Sequence, residues 1–407
     1  MTKTILIIGA GVESVPGIII AKKMGLKVVA LDMNPNAPGF NFADDKIICS
    51  TYDIGNAVIK ASEYNNKNKI DGVISIATDV PLTVAKIAEK LKLCAPSVET
   101  AILASDKILM KHKLKEKGIS IPWFCQIDSL KHLKYVVNEK KFNLVIKPAD
   151  SRGARGVLRI TKDIDLDWAY NYSLSYSPSK RVLVEEFIDG PQISTEAVII
   201  DGNGVNVGFS ERNYEYIDKF APYIIENGGQ MPSSLPQKIK NEISSLTIEA
   251  GKAIGIYNGT VKGDMVYSSE GAKVIEVAAR LSGGFFSTDQ IPLSIGVNLV
   301  ETAIKIALGE KVAIDSIKPK YQKGVAIRYF FPKPGVVKEI KNIEMFKDAE
   351  WLYKLQFFVK PNDIVEKITD HTKRAGVVIT TGETKIEAVE RAQSVVNIIE
   401  IVTISNE

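Results

Sequence analysis

A chain of 407 residues is too long for one ordinary core, so two or three domains are expected. With 45% hydrophobic and 25% charged residues and a net charge of +4 spread along its length, it excludes extensive disorder and a membrane-embedded body, and it offers no concentrated basic patch for nucleic acid. Three isolated thiols (Cys49, Cys94, Cys125) and three scattered histidines exclude a disulfide framework, a zinc cluster and histidine-based triads. No window approaches 18 apolar residues and no signal-cleavage region follows the N-terminus, so a cytoplasmic protein is expected.

Residues 4–8 read as a buried strand, Gly9-Ala10-Gly11 as a turn, 15–24 as a helix closed by Gly25, and 27–31 as a second strand ending in Asp32. IGAG with an acid about twenty residues on opens like a dinucleotide fingerprint, but Ser14 holds the third glycine position. A Rossmann-like domain whose glycine turn joins strand to helix is favoured over an NAD site. Further strands are expected at 46–49 and 72–76, the latter leading through Ala77-Thr78-Asp79 into a helix at 80–91. Ligands of parallel sheets sit at the carboxyl ends of strands, where Thr78 and Asp79 lie. Asp79 also suits a helix cap.

After Pro96 comes ASDKILMKHKLKEKGISIP, whose lysines are expected mostly on a solvated helix face. A strand at 144–146 ends in Lys147-Pro148, followed by ADSRGARGV. Gly153 and Gly156 let backbone N–H groups approach phosphate oxygens, while Lys147, Arg152 and Arg155 add positive charge beside Ser151. The loop therefore reads as a flap over phosphates, without P-loop spacing. A strand at 181–184 leads into Glu185-Glu186-Phe187-Ile188, whose backbone groups beside a carboxylate suit an adenine edge, though ordinary strand ends carry such residues too.

A hairpin pairs 193–200 with 205–210 through DGNG, an amphipathic helix covers 237–254, and a second hairpin pairs 259–267 with 273–277. Asp264 and Glu276 fall on the paired strands of that hairpin, where facing side chains lie about 5 Å apart. Two carboxylates so close require a cation, and magnesium binds through one or two carboxylates together with substrate phosphates. Strand alternation in VIEVAAR, residues 274–280, puts Glu276, Ala278 and Arg280 on one face. Arg280 is then placed to meet a phosphoryl oxygen or a substrate carboxylate. A surface ion pair between Glu276 and Arg280 is the plainer alternative.

Taken in order, Lys107 and Lys147, the loop DSRGARGV, the EEFI segment and Asp264 with Glu276-Val-Ala-Ala-Arg280 resemble the ATP-grasp superfamily over essentially the whole chain. The resemblance implies an α/β and α+β multidomain fold. A Rossmann-like preATP-grasp domain would occupy 1–100, a two-subdomain ATP-grasp fold 101–318 with its lid near 115–185, and a small C-terminal α+β domain 319–407. ATP would lie between the two α/β subdomains. Lys107 and Lys147 would hold its phosphates under the loop of Ser151, Gly153, Arg155 and Gly156. Glu185 and the backbone of Glu186, Phe187 and Ile188 would hold the adenine, and Gln192 or Glu196 the ribose hydroxyls. Asp264 and Glu276 would bind magnesium, with manganese as a substitute, and Arg280 would stabilise the transferred phosphoryl group. Glu276 or Glu196 would assist proton loss from an attacking amine.

Two departures stand out: Ala278 replaces the Asn that many members use as a metal ligand, and Gln192 replaces a frequent acid. The segments RYFFPKPG and RAGVVITTGET resemble the tail of L-amino-acid and dipeptide ligases, with Thr384 and Glu387 as a capping box. Arg328 within the first segment suits either a substrate carboxylate or a surface ion pair. The implied activity is carboxylate–amine ligation through an acyl phosphate, releasing ADP and phosphate. The alternatives are bicarbonate activation on the same scaffold and, from a different class, a dinucleotide-binding dehydrogenase or a silent nucleotide sensor. The implied partners are a small-molecule carboxylate and amine, with no nucleic acid or membrane, and a homodimer is the implied assembly.

Overall fold

The computed structural model describes residues 2–141 and 143–404. They form two compact units that do not follow chain order. The first gathers Met1–Ile121, Ile193–Phe209 and Leu235–Tyr321; the second gathers Pro122–Gln192, Ser210–Ser234 and Gln322–Glu407.

The first unit opens with an all-parallel sheet in the order Asp45–Ile48, Lys27–Asp32, Thr4–Ile8, Gly72–Ile74. TILII is buried at every position, as a central parallel strand covered on both faces must be. Leu6, Ile8, Val29 and Leu31 pack against Ala57 and Ala61 of helix Ile54–Lys67 and against Val84 and Ile87 of helix Pro81–Leu91. Gly9 has φ +97°, and a Cβ there would lie 2.0 Å from Thr78 Oγ1, so only glycine lets these two strand-end loops touch. Asp32 accepts the N–H groups of Ala10 at 2.9 Å and Asn34 at 3.0 Å. This acid ties the turns at the end of its own strand, which gives the glycine turn a structural role.

The same unit holds two hairpins. Gln192–Ile200 and Asn203–Arg212 are joined by Asp201 and Gly202 alone, with φ +49° and +73°, the two-residue turn whose twist matches its strands. Gly259–Ser268 pairs with Gly271–Ala278, and the sheet runs Gly271–Ala278, Gly259–Ser268, Gln192–Ile200, Asn203–Arg212. Its core of Ile193, Ala197, Val261, Met265, Val274 and Val277 packs against Ile243 and Ala250 of helix Gln237–Ala253.

In the second unit, an antiparallel sheet in the order Phe124–Ile127, Val182–Glu186, Leu144–Pro148, Leu158–Ile160 is backed by helices Leu130–Glu139 and Leu166–Ser175. Beyond it, Gly229–Met231, Gly324–Tyr329, Gly376–Gly382 and Leu352–Phe357 run side by side from the end of Asn203–Arg212. Helix Lys385–Ile398 covers them, with Thr384 Oγ1 accepting the Glu387 N–H at 3.2 Å. The return bond of the capping box goes to the Glu383 N–H at 2.8 Å, one residue before the cap. Among the described residues, no helix is long and apolar enough to cross a membrane.

Candidate active site

In the acidic hairpin of the first unit, Asp264 lies directly opposite Glu276, as the sequence suggested. Lys262 lies directly opposite Ala278 and sends its Nζ to Asp264 Oδ2 at 2.6 Å. The position where an amide is common is thus faced by an ammonium. Glu276 has a cation of its own, Lys107 Nζ at 3.5 Å from Oε2. Lys107 opens helix Lys107–Glu116, whose start is fixed by Asp106 accepting the N–H groups of Ile108 and Leu109, both at 3.0 Å. Lys111 departs from the expected solvated face: it is only 1% exposed and donates to the Ile275 carbonyl at 3.1 Å.

Arg280 is not one strand step past Ala278, because the strand ends at Ala278 and Arg280 sits in the bend that follows. Its Nε lies 2.9 Å from Asp79 Oδ1 and its Nη1 donates to the Leu281 carbonyl at 2.8 Å. Burial alone would lower the pKa of this guanidinium, but Asp79 first, and then Glu276 and Glu196, raise it, so the charge is locked on. The alternative of a surface pair between Glu276 and Arg280 gives way to a largely interior pair between Arg280 and Asp79. Asp79 does not cap the next helix either, since that helix starts at Pro81 with Val80 at its cap and no side-chain cap bond. Thr78, beside it, is half-buried.

Glu196 was expected near ribose hydroxyls, but it is 0% exposed. It accepts the Ser282 N–H at 3.1 Å and the Ser287 hydroxyl at 2.7 Å, so its oxygens brace the loop after Arg280. Burial pushes its carboxyl up to about 7, against the lowering effect of those serines and of Arg280. The same loop is held by Glu13, whose Oε2 accepts the Gly284 N–H at 2.8 Å.

The second unit carries the other set. Val145 pairs with Glu185 and Lys147 with Leu183, which makes Lys147 and Glu185 diagonal neighbours on one face. Lys147 Nζ lies 2.8 Å from Glu185 Oε1, with side chains 12% and 3% exposed. Glu185 and Glu186 belong to strand Val182–Glu186 and do not follow it. The N–H groups of Glu186 and Phe187 donate to the carbonyls of Trp123 at 2.9 Å and Asn143 at 2.8 Å. Those two donors serve the sheet, which narrows the adenine reading to carbonyls and to Ile188.

Between Pro148 and Leu158 the loop uses positive φ at Gly153, Ala154 and Gly156. Asp150 anchors it by accepting from Ser177 Oγ at 2.6 Å and the Ser179 N–H at 3.0 Å, and Arg155 Nε donates to the Arg152 carbonyl at 3.0 Å. Ser151 and Gln192 are half-buried. Arg328 is 3% exposed and donates to Gln230 Oε1 at 2.9 Å and the Ile327 carbonyl at 2.8 Å. Burial lowers its pKa, and of the two readings open for this residue a surface ion pair does not fit its 3% exposure. Among the described residues, no group of three or more His, Cys, Asp or Glu gathers as a closed metal site.

Lys262, Lys111 and Glu13 had not been singled out from sequence. Glu13 left one trace: a Cβ on Gly283 would lie 2.8 Å from its Oε2, so the GG after Arg280 makes room for it.

Residues 104–284 match a family model described as ATP-grasp domain, and residues 328–403 one described as L-amino acid ligase C-terminal domain 2. An uncharacterized protein of Sinorhizobium fredii is 24% identical over 354 residues, covering 85% of this chain and 72% of its own length. A D-alanine–D-alanine ligase of Paracidovorax citrulli is 24% identical over 223 residues, covering 53% of this chain and 65% of its own. The crystal structure of an L-amino acid ligase from Bacillus licheniformis shares the fold with a TM-score of 0.82 over 99% of both chains, at 19% identity.

Proposed function

Since residues 104–284 match an ATP-grasp domain and residues 328–403 an L-amino acid ligase C-terminal domain, we propose that the chain is an ATP-dependent ligase joining a carboxylate to an amine through an acyl phosphate. The observation that carries this reading is the hairpin that sets Asp264 opposite Glu276, each beside a lysine, with the half-buried Arg280 held by Asp79 just past the strand end. The C-terminal domain favours an amino-acid carboxylate over bicarbonate. We retain 1–100, 101–318 and 319–407 as the modules of the chain.

We assign Lys147, with the loop of Ser151, Gly153, Arg155 and Gly156, to the nucleotide's phosphates. Glu185 and the carbonyl edge leading to Ile188 are assigned to the adenine, and Gln192 to the ribose. Glu185 fixes the Lys147 ammonium in one direction, which orders a long side chain before any ligand arrives. In the first unit, Lys107 and Arg280 neutralise the phosphoryl group, and Asp79 holds the guanidinium plane.

Two hard carboxylates directly paired across a hairpin suit magnesium, and Asp264 and Glu276 would hold it. When bound, the ion supplies charge neutralisation at the phosphates. Phosphoryl transfer needs positioning and charge more than a covalent nucleophile, which matches a residue set without Cys or His. Glu276 is the group proposed to take the amine proton, and Arg328, with Thr78 as a lesser contact, is assigned to the carboxylate substrate.

Thermal unfolding tests the cofactor. Magnesium-ATP at a hundred times its Kd should stabilise the chain by about 2.7 kcal/mol, and NADH should leave Tm unchanged. Stabilisation by NADH alone would sink the ligase reading.

A further inference from the structure

Among the described residues, the strand Gly271–Ala278 lies at the edge of its sheet and no strand pairs with its outward N–H and C=O groups. Side chains and backbone of residues 107–120 take that place. Ser120 offers its carbonyl to the Val274 N–H at 2.9 Å, Lys111 donates to the Ile275 carbonyl at 3.1 Å, and Met110 Sδ accepts the Val277 N–H at 3.4 Å. Lys107, one helical turn before Lys111, reaches the Glu276 carboxylate. Four consecutive strand residues are thus each gripped by one short stretch.

The grip is centred on a β-bulge. Met265 pairs with Val274, but Asp264 pairs with Glu276, so Ile275 is the extra residue. Without it the register would place Ile275 opposite Asp264, and Glu276 opposite Gly263. A one-residue slip turns side chains to the other face. The bulge is therefore what makes the two carboxylates meet. Its extra residue has its carbonyl tied down by a lysine that is 1% exposed, a costly group to bury if it only filled space.

We propose that Lys111 is a positioning residue: by holding the Ile275 carbonyl it fixes the bulge that aims Glu276 at Asp264, and so sets the affinity of that pair for a divalent cation. This rests on the assignment of Asp264 and Glu276 to the metal of the nucleotide.

The test is calorimetric binding of a non-hydrolysable ATP analogue, once with Mn2+ and once in EDTA. Wild type should bind the Mn2+ complex more tightly, and Glu276→Gln should abolish that preference. If Glu276→Gln keeps the preference, the metal assignment itself is wrong. Given that preference, Lys111→Met should weaken the Mn2+ complex roughly tenfold, leave the metal-free analogue unchanged and keep the wild-type Tm or raise it. A purely structural lysine would instead lower Tm and leave the metal preference intact, and that result overturns the proposal. Should Lys111→Met not fold, Lys111→Arg, which keeps a charged donor, must bind the Mn2+ complex as wild type does. A loss of preference there also overturns it.

Discussion

Glu196 is a fully buried carboxylate held by two serines, with the Arg280 guanidinium close enough to act on its charge. Its folded-state pKa of about 7 lies above the ordinary 4.5, so between those values the native state holds a proton that the unfolded chain has released. Stability from this group is full below pH 4.5 and falls as pH rises through 7. Glu196→Gln removes the titration, so its denaturation midpoint relative to wild type should rise between pH 5 and pH 8.5. An equal offset at both pH values would refute the buried-acid account. At this scale the legible residues were those whose partners lie close in sequence. Asp264 and Glu276 flank one turn, whereas Lys111 and Ile275 are 164 positions apart and Glu13 and Gly284 are 271 apart. Only folding brings such pairs together, and a lysine read as solvated cannot announce the carbonyl it will meet.

Strands and turns were read well where local chemistry fixes them, as at Asp201-Gly202 and in the buried run TILII. Where an element ends was harder, because tertiary bonds decide it. The strand from 72 stops at Ile74, the one before EEFI continues through Glu186, and the hairpin strand stops at Ala278 just before Arg280 turns to Asp79. Gly9 offers the element-scale test. Its φ of +97° strains any other residue, and a Cβ would strike Thr78. Gly9→Ala should cost about 2 kcal/mol or more in denaturant unfolding. A midpoint like that of wild type would mean that the close approach of these two loops is not needed.

At the scale of the molecule, the α/β character follows from alternating strand and helix patterns. The interleaving of two compact units from six chain segments does not. A linear reading assigns neighbours in sequence to one body, while here the residues after Ile121 and after Phe209 join the second unit because their strands pair there. The most direct measurement is phosphate release from magnesium-ATP across a panel of amino acids and bicarbonate, with hydroxylamine present to capture an acyl phosphate as a hydroxamate. The account predicts a hydroxamate with at least one amino acid, lost in Glu276→Gln while the variant remains folded. ATP turnover with bicarbonate alone, or a hydroxamate that Glu276→Gln still forms at the wild-type rate, would contradict it.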